Sequence, residues 1–296
     1  MAFEIKISII IPNLHSPIVD QTIESVLRQK TALPYEVIVV GMDKFGHVNK
    51  FPEVRYIETP APVGAAEARN IGIRAAQGEW LLFIDSDCIA QPGWIEAFTA
   101  TFKAGWQVVG GGVITPNEPF WLLVYNLSMF YGELASQRRR ERKFFPTLNL
   151  AVHRQVIDDV GLMDQDLPRG QDIEWTARMT QAGYRLLFEP SAAIEHRPER
   201  KDLSTLREYV HKSGYYTIRV RHRYPEVFRT PKLFGSAWFL RVFAPVIAAL
   251  TTFKILIETK EVRQHARIIP YVYLQKLSWC YGAAEGLQAM RRNPDR

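Results

Sequence analysis

The chain has 296 residues, of which 47% are hydrophobic and 23% charged, and 37 lysines and arginines outnumber 31 aspartates and glutamates. This ordinary globular mixture is long enough for one large domain or two smaller ones, and it excludes disorder as a description of the whole chain. The two cysteines, Cys88 and Cys280, exclude a disulfide framework and form no CxxC pair, so a reducing compartment is expected and structural zinc is not.

Strand and helix patterns alternate through the first 110 residues. Runs of apolar, mostly β-branched residues predict strands at 7–11, 35–40, 54–57, 80–84 and 107–109. Helical spacing or alanine-rich composition predicts helices at 20–29, 65–77 and 93–104. Pro12 and Gly41 are expected to end the first two strands, and Gly78 to cap the second helix. The alternation predicts an α/β fold with a mostly parallel central sheet flanked by helices.

The pattern changes after about residue 115, where two prolines interrupt it. The basic run at 138–143 is expected to be a loop or a solvated face. A further helix is predicted at 172–181, and a strand at 184–188 is expected to stop at Pro190.

Positive charge is concentrated in one stretch of the chain. Residues 1–90 hold 8 basic and 11 acidic side chains, whereas residues 197–232 hold 10 basic and 4 acidic ones. The net charge of +6 in the second stretch equals that of the whole chain. Such a stretch can contact nucleic acid, anionic lipid or a phosphorylated ligand, and charge by itself does not select among them.

Residues 234–253 are apolar except for Arg241, and Pro245 lies among them. Twenty apolar residues are enough to cross a bilayer, but an arginine inside the span is costly. A core helix packed on the sheet is one interpretation. The other is a helix in a membrane interface, flanked by the basic residues 219–232 and by Trp238, which suits an anionic leaflet. We favour membrane association, with a helix that dips into the bilayer rather than one that crosses it.

Two aspartates, Asp85 and Asp87, follow the apolar strand at 80–84. If the extended alternation continues, both carboxylates project to one side at the carboxyl end of a central strand, where open α/β sheets bind ligands. Neighbouring carboxylates favour a hard cation such as Mg²⁺, which keeps substrate phosphates in its coordination shell. A solvated turn is the alternative, and we favour the metal and diphosphate site.

Three further segments hold candidate polar residues. Arg69 lies on the helix after Gly64 and could reach an anionic group of a nucleotide, although an arginine–glutamate pair on a helix surface is the simpler explanation. Asp172, at a loop–helix junction, fits an N-cap, or a general base kept ionised by the positive helix end. His196 follows a strand-like run and could ligate a metal, although a lone histidine is more often polar surface.

In order and spacing these segments resemble the family 2 glycosyltransferases, which have the GT-A fold. The resemblance covers roughly residues 7–216. The matching pieces include Ile9-Ile10-Ile11-Pro12, Ala68-Arg69-Asn70-Ile71-Gly72, Phe83-Ile84-Asp85-Ser86-Asp87, Asn149-Leu150-Ala151, Arg169-Gly170-Gln171-Asp172 and His196.

The resemblance implies a nucleotide pocket beside the first strand. Pro12 and Asn13 would line it, and Arg69 would contact the base or the phosphates. Family members usually carry an acidic pair after the second strand that reads the base. Here Gly41-Met42-Asp43 leaves only Asp43, in a displaced position, for that role. This departure argues against assigning uridine as the nucleoside of the donor.

The resemblance also implies the reacting groups. Asp85 and Asp87 would hold Mg²⁺ or Mn²⁺ together with the donor diphosphate, and His196 would approach that metal. Asp172, preceded by Gln171 where the family commonly has glutamate, would be the base that deprotonates the acceptor hydroxyl. The QxxRW motif of processive polymerases is missing from the sequence, which favours single addition.

The sequence therefore predicts an inverting, metal-dependent glycosyltransferase that moves a sugar from a nucleoside-diphosphate sugar to an acceptor hydroxyl in surface polysaccharide or glycolipid synthesis. The expected parts are a donor-binding half at 1–115, an acceptor-binding half carrying the base at 116–225, and a helical, membrane-associated region at 226–296. Expected partners are the nucleotide sugar, a glycan or lipid-linked acceptor and a membrane surface, without nucleic acid. Residues 1–6 lack a signal-peptide pattern, so a cytoplasmic location at the membrane face is expected.

Three alternatives stay open at this point. A phosphotransferase or phosphatase also places Asp-x-Asp after an apolar strand, normally near the N-terminus. A nucleotidyltransferase would need a glycine- and lysine-rich first loop, which is missing after Ile11. A non-catalytic module could use the basic stretch on nucleic acid or on a membrane, and its interleaved apolar residues favour the membrane.

Overall fold

The computed structural model describes residues 5–199 and 202–292, which form two compact units. The first unit consists of residues 5–114, 135–166 and 171–197, and the second of 115–134, 167–170, 198–199 and 202–292. The predicted boundaries near 115 and 225 define a different partition and stay a prediction. Residues 1–4, used for the signal-peptide expectation, and Arg200 and Lys201 of the basic stretch lie outside the described residues.

The described strands all lie in the first unit and form one mixed sheet. They are β1 (Ile7–Leu14), β2 (Tyr35–Met42), β3 (Arg55–Glu58), β4 (Trp80–Ile84), β5 (Cys88–Ala90), β6 (Val108–Ile114), β7 (Arg140–Arg142), β8 (Asn149–His153) and β9 (Leu186–His196). Their order is β3-β2-β1-β4-β8-β6-β9-β5, and β7 also pairs with β9. β1 pairs in parallel with β2 and β4, and β2 with β3, whereas β8 runs antiparallel between β4 and β6.

The helices follow in chain order. They are α1 (Val19–Leu27), α2 (Ala65–Ala75), α3 (Trp94–Lys103), α4 (Phe120–Met129), α5 (Arg154–Val160), α6 (Gln171–Gln181), α7 (Leu203–Arg223), α8 (Pro225–Phe228), α9 (Ala237–Val242), α10 (Ala244–Glu258), α11 (Lys260–Gln264) and α12 (Ile269–Arg292). Of these, α1, α2, α3, α5 and α6 belong to the first unit. The predicted α/β class with flanking helices and a helical C-terminal region is confirmed.

The core of the first unit joins the sheet to α6. Ile10, Phe83 and Leu150 are fully buried on the three adjacent strands β1, β4 and β8. The ring of Trp175 on α6 meets that of Phe83 edge to face, with 5.6 Å between centroids. This contact attaches the start of α6 to the sheet beneath it.

Two predicted strand ends are wrong, and both lie where β1 and β2 run side by side. β1 continues through Pro12 to Leu14. Because β4 pairs with β1 only as far as Ile10, the following part of β1 has an open side, where a residue without N–H is tolerated. Gly41 does not end β2; it has φ +129°, and a Cβ atom there would lie 1.9 Å from the carbonyl oxygen of Asn13. Glycine is therefore required for the close approach of these strands.

The predicted end of the second helix is also wrong. α2 stops at Ala75, and Ala76 is already extended. Gly78 is not its cap, because its N–H donates to Oγ of Ser8 on β1 at 2.8 Å. The strand β4 is thus attached to β1 immediately before it begins.

The end of the sheet around β6 and β9 is longer than predicted. β6 continues to Ile114 through three glycines, whose low strand propensity misled the prediction. β9 is one strand that passes through Pro190 and reaches His196. It accommodates the proline in a register shift opposite the Gly111/Gly112 step of β6. The basic run forms the short strand β7, in which Arg140 and Glu141 are exposed.

The second unit is helical within the described residues. Its buried cluster combines residues of α4, α7, α10 and α12, namely Leu123, Leu127, Leu206, Ile255 and Val272. The predicted single helix at 234–253 is wrong, because the chain forms α9 and α10 with a break at Phe243, and Pro245 lies in the first turn of α10. None of the described helices is long and apolar enough to span a bilayer.

Candidate active site

Two loops meet at the carboxyl edge of the parallel strands. One follows β1 at residues 15–18, and the other follows β4 at residues 85–87. Oγ of Ser16 donates to the carbonyl oxygen of Ser86 at 2.7 Å, which joins the two loops. The site predicted from the sequence therefore lies where open α/β sheets bind ligands.

Asn13 is buried and holds the first of these loops in place. Its Nδ2 donates to the carbonyl oxygen of Met42 at 3.0 Å, and its Oδ1 accepts from the N–H of Ser16 at 3.1 Å. The side-chain amide is thus engaged by the protein itself. Pro12, the other predicted pocket residue, is half-buried beside it.

Asp85 forms an ion pair with Arg69 of α2. The arginine side chain is only 4% exposed and the carboxylate 31%, so the pair lies at the edge of the interior. Nε of Arg69 is buried and has no hydrogen-bond partner among the described residues. Burying a guanidinium group is costly unless an acid accompanies it, and Asp85 supplies that acid. The surface arginine–glutamate pair considered above is therefore excluded.

Asp87 lies next to His196, and the two are brought together by strand pairing. β5 and β9 run antiparallel, with Cys88 opposite His196. Nε2 of His196 is 3.6 Å from Oδ1 of Asp87, and Sγ of Cys88 is 3.7 Å from the same oxygen. The histidine is buried, whereas Asp87 is one-third exposed. His196 is thus not a polar surface residue.

The donor atoms of Asp87, Cys88 and His196 lie within 4.8 Å of one another. One carboxylate oxygen and one imidazole nitrogen at this spacing fit a divalent ion such as Mn²⁺, with open positions for a phosphorylated ligand. The predicted metal set of Asp85, Asp87 and His196 is gathered in one region, but in this structure Asp85 pairs with Arg69. The metal assignment stays a prediction.

Cys88 is a member of the cluster that the sequence did not indicate. Burial, followed by the negative charges of Asp87 and then Asp85, raises the pKa of its thiol well above the ordinary value. The thiol therefore stays protonated and is a weak ligand. The N–H of Cys88 donates to the carbonyl oxygen of Asp85 at 3.0 Å, so the two aspartates lie in one turn, which follows the end of β4.

Asp172 lies in the first turn of α6 rather than at the cap, because the helix begins at Gln171. Its Oδ1 accepts from the N–H of Ile173 at 2.8 Å. Burial raises the pKa of the Asp172 carboxyl, and Asp85 adds to this, while that N–H and the charge of Arg69 lower it. The side chain is thus electrostatically coupled to both members of the Arg69–Asp85 pair.

The helix that carries Asp172 is firmly anchored. Nε1 of Trp175 donates to the carbonyl oxygen of Gly161 at 2.8 Å, and Oγ1 of Thr176 bonds the backbone of Phe145 in both directions. The buried Glu174 is paired with Arg178 one turn later. A carboxylate on such a helix has little freedom to move away from the site.

Asp43 belongs to a different arrangement. Its two carboxylate oxygens accept backbone N–H bonds from Phe45 and Val48, at 3.1 and 2.7 Å. It therefore shapes the loop after β2, and its role toward a nucleotide base stays a prediction. The N–H of Lys44 donates to Nδ1 of His15, which connects this loop to the one after β1.

Sequence reasoning missed Ser16 and Cys88. Ser16 is three residues beyond Asn13, a spacing at which an asparagine side chain can accept a backbone N–H bond, and this signal could have identified it. The contact of Cys88 with His196 depends on the pairing of strands more than 100 residues apart, and no local signal indicates it.

The chain belongs to glycosyl transferase family 2, whose family model matches residues 8–161. The resemblance predicted from the motifs is thereby confirmed. The match covers nearly all of β1 and the whole of β2, β3, β4 and β8, together with the turn at 85–87, and it ends before α6.

Among curated proteins, the chain is 33% identical to glycosyltransferase AglE of Haloferax volcanii over 126 residues, covering 42% of this chain and 41% of AglE. It is 34% identical to the uncharacterized glycosyltransferase YwdF of Bacillus subtilis over 197 residues, covering 64% of this chain and 73% of YwdF. The chain thus spans about two-fifths of the length of AglE.

Among solved structures, the chain is similar to the mannosyltransferase PcManGT of Pyrobaculum calidifontis in complex with GDP-Man and Mn²⁺. The TM-score is 0.60 at 16% identity, with 100% of this chain and 89% of that chain covered. This likeness shows the GT-A fold.

Proposed function

We propose that the protein is an inverting, metal-dependent glycosyltransferase that transfers one sugar from a nucleoside-diphosphate sugar to an acceptor hydroxyl. The observation that supports this most directly is the convergence at the turn after β4 of Asp85, paired with Arg69, and Asp87, beside His196. The influence of Arg69 and Asp85 on the ionisation of Asp172 supports a candidate base close to this candidate diphosphate site. Family membership favours this activity over the phosphatase, nucleotidyltransferase and non-catalytic alternatives.

The donor would bind at the loop after β4. Asp87 and His196 would hold a divalent ion, with Asp85 beside them, and Arg69 would contribute positive charge toward the phosphates. Such an ion, when bound, neutralises negative charge on the departing nucleoside diphosphate. The structural neighbour with GDP-Man and Mn²⁺ supports this donor class.

The acceptor would be activated by Asp172. As the acceptor oxygen bonds to the anomeric carbon, the bond from that carbon to the diphosphate oxygen breaks, and the hydroxyl proton passes to the Asp172 carboxylate. A carboxylate with a raised pKa is a stronger base than an ordinary one, which suits Asp172 to accept this proton. Attack from the face opposite the leaving group inverts the sugar configuration.

The acceptor class belongs to the same proposal. We infer a glycan or lipid-linked hydroxyl, as in surface polysaccharide or glycolipid synthesis. Residues 115–147, which hold none of the motifs that indicate the family, are the part expected to determine acceptor choice.

The decisive experiment compares Asp172→Asn with the wild type. A panel of nucleotide sugars is tested for release of nucleoside diphosphate in the presence of Mn²⁺, and calorimetry measures binding of GDP and UDP. The variant is expected to lose at least about 100-fold in turnover, because the base is removed. Nucleotide affinity is expected to stay within about twofold.

Asp166→Asn is the matched control, since it makes the same chemical change at an exposed aspartate shortly before α6. Near-normal turnover in Asp172→Asn would show that the base assignment is wrong. Equal loss in both variants would show that the effect is not specific to Asp172.

A further inference from the structure

One face of α9 and α10 exposes large apolar side chains. They recur every three or four residues, at Trp238, Val242, Val246, Leu250, Phe253 and Ile257. Each is more than half exposed, and Trp238 reaches 68%. Single exposed apolar residues are ordinary, but a continuous row along two consecutive helices marks an interaction surface. We call this row the apolar stripe.

The opposite face of α10 is the buried one, and its side chains are smaller. Ala244, Ala248, Thr252 and Ile255 face the interior of the second unit. A helix in water normally buries its largest apolar side chains and exposes the small or polar ones. In α10 this arrangement is inverted, so its outer face is suited to an apolar medium.

Positive charge surrounds the apolar stripe. Residues 229–263 contain six lysines and arginines but only two glutamates, a net charge of +4. All six cations are exposed: Arg229, Lys232 and Arg241 near α9, Lys254 within α10, where it lies 3.9 Å from Glu258, and Lys260 and Arg263 just after α10. An apolar face bordered by cations matches the interior and the head groups of an anionic bilayer.

We propose that α9 and α10 dock the protein in the plane of an anionic lipid surface, with the apolar stripe entering the acyl boundary and the surrounding cations contacting lipid phosphates. The proposed contact is with one leaflet only, as for other helices that lie in the plane of a membrane interface. The leaflet that carries this negative charge in cells is the cytoplasmic one.

A second copy of the chain would fit the apolar stripe less well. In a two-fold symmetric dimer the same positive border would face itself, and like charges would then lie close together. An anionic membrane instead supplies the opposite charge along the whole length of the stripe.

Vesicle co-sedimentation of the full chain tests the proposal. Phosphatidylcholine vesicles are compared with vesicles that contain 30% phosphatidylglycerol, at low and high salt. We expect tight binding to the anionic vesicles, weaker binding at high salt and little binding to neutral ones.

The double variant Leu250→Ser with Phe253→Ser is expected to lose at least tenfold in vesicle affinity, because two inserted side chains are removed. Tyr281→Ser is the control, since it removes an apolar side chain that is 40% exposed on α12. Lys232→Gln and Lys260→Gln are each expected to weaken anionic binding about fivefold. Lys103→Gln, at an exposed lysine of α3, is expected to leave it unchanged.

Trp238 provides an independent readout of insertion. Brominated acyl chains are expected to quench part of the tryptophan fluorescence of the wild type. The Trp238→Phe variant is expected to bind the vesicles still, but to lose the quenched part of the signal. The measurement does not depend on any change in stability.

Three outcomes would overturn the proposal. The first is a wild-type chain that ignores anionic vesicles, and the second is a double variant that binds as well as the wild type. The third is a lipid-free dimer, measured by sedimentation, that becomes monomeric in the double variant, because this would make the apolar stripe an interface between copies. Circular dichroism melts of all variants confirm that they are folded.

Discussion

Arg69 acts on two carboxylates of the candidate site, those of Asp85 and Asp172. It forms the ion pair with Asp85, and its charge also lowers the pKa of Asp172. Its own burial depends on α2 packing closely on β1, which Gly72 allows, since a Cβ atom there would lie 2.5 Å from Cγ2 of Ile10. One buried arginine therefore affects both Asp85 and Asp172.

The pH dependence of turnover should report the effect of the Arg69 charge on the pKa of Asp172. In the proposed mechanism Asp172 must be ionised, so kcat/KM is expected to fall as pH decreases through its pKa, and burial places this acid limb above that of an ordinary aspartate. Replacing Arg69 with methionine removes a positive charge that favours the ionised form. We expect the acid limb of Arg69→Met to move to higher pH, measured as a profile of kcat/KM.

Arg69→Lys keeps the charge and serves as the control. Its acid limb is expected to remain close to that of the wild type, even if donor binding weakens. A limb that stays in place in Arg69→Met, or that moves to lower pH, would show that Arg69 does not act on the group responsible.

The sequence selects candidate residues for the site but does not indicate how they pair. Asp85, Asp87, His196 and Asp172 could be selected because their spacing resembles a family pattern. The preference of Asp85 for Arg69, and the contact of Cys88 with His196, arise only when α2 and β9 are packed against the turn at 85–87. No pattern in a single segment contains that information.

Among the elements, the pair α7 and α12 shows how closely two helices can pack. Gly282 of α12 lies where a Cβ atom would be 1.9 Å from the carbonyl oxygen of His211 on α7. Gly286, one turn later, and Gly214 on α7 show the same closeness to backbone oxygens, at 2.2 Å each. The two backbones thus touch along a row of glycines, an arrangement that permits the shortest interhelical distance.

Gly282→Ala tests this contact. Helix propensity by itself would make the substitution favourable by about 1 kcal/mol. We expect instead a loss of roughly 1–3 kcal/mol, because the added methyl group meets a backbone oxygen that cannot rotate away. Urea denaturation of the second unit, followed by circular dichroism, measures the difference.

Gly64→Ala is a suitable comparison, since Gly64 has φ −68° and nothing within 4 Å of the added atom. Its stability is expected to change little. A Gly282→Ala chain that is more stable than the wild type would show that α7 and α12 can move apart at no cost.

The elements that the sequence located well are those with a strong local pattern. β4 was predicted at its observed bounds, and α1, α3 and α6 within one or two residues. The strand predicted from the sequence is shorter than β9, because a proline such as Pro190 normally ends a strand. Only the register shift against β6 shows how the proline is tolerated. The apolar run at 234–253 was read as one helix because its break at Phe243 has no local signal.

At the scale of the whole molecule, the candidate site lies entirely within the first unit. Every residue assigned to donor or base belongs to residues 5–114 or 171–197. A ligand that binds there stabilises the first unit directly, and its effect on unfolding can be measured without knowledge of the acceptor.

A nucleoside diphosphate with Mn²⁺ is expected to raise the unfolding temperature of the first unit. At about 100 times its Kd a ligand adds roughly 2.7 kcal/mol, which corresponds to about 5–10 °C for a unit of this size. Differential scanning calorimetry with GDP and UDP, with and without EDTA, measures the shift. Chelation, or Asp87→Ala, is expected to remove most of it; an equal shift in EDTA would contradict a metal-dependent site.

Segments of the two units alternate along the sequence, which has a practical consequence for shortened versions of the protein. A chain cut after residue 197 would keep every described strand and the whole candidate site, yet it would also keep α4, which belongs to the second unit. Leu123, Val124 and Leu127 of that helix are covered by residues from 206 onward. Such a fragment would expose the apolar side chains of α4 to solvent and would aggregate during expression. A C-terminal truncation therefore cannot yield a soluble, shorter version of the protein unless residues 115–134 are redesigned as well.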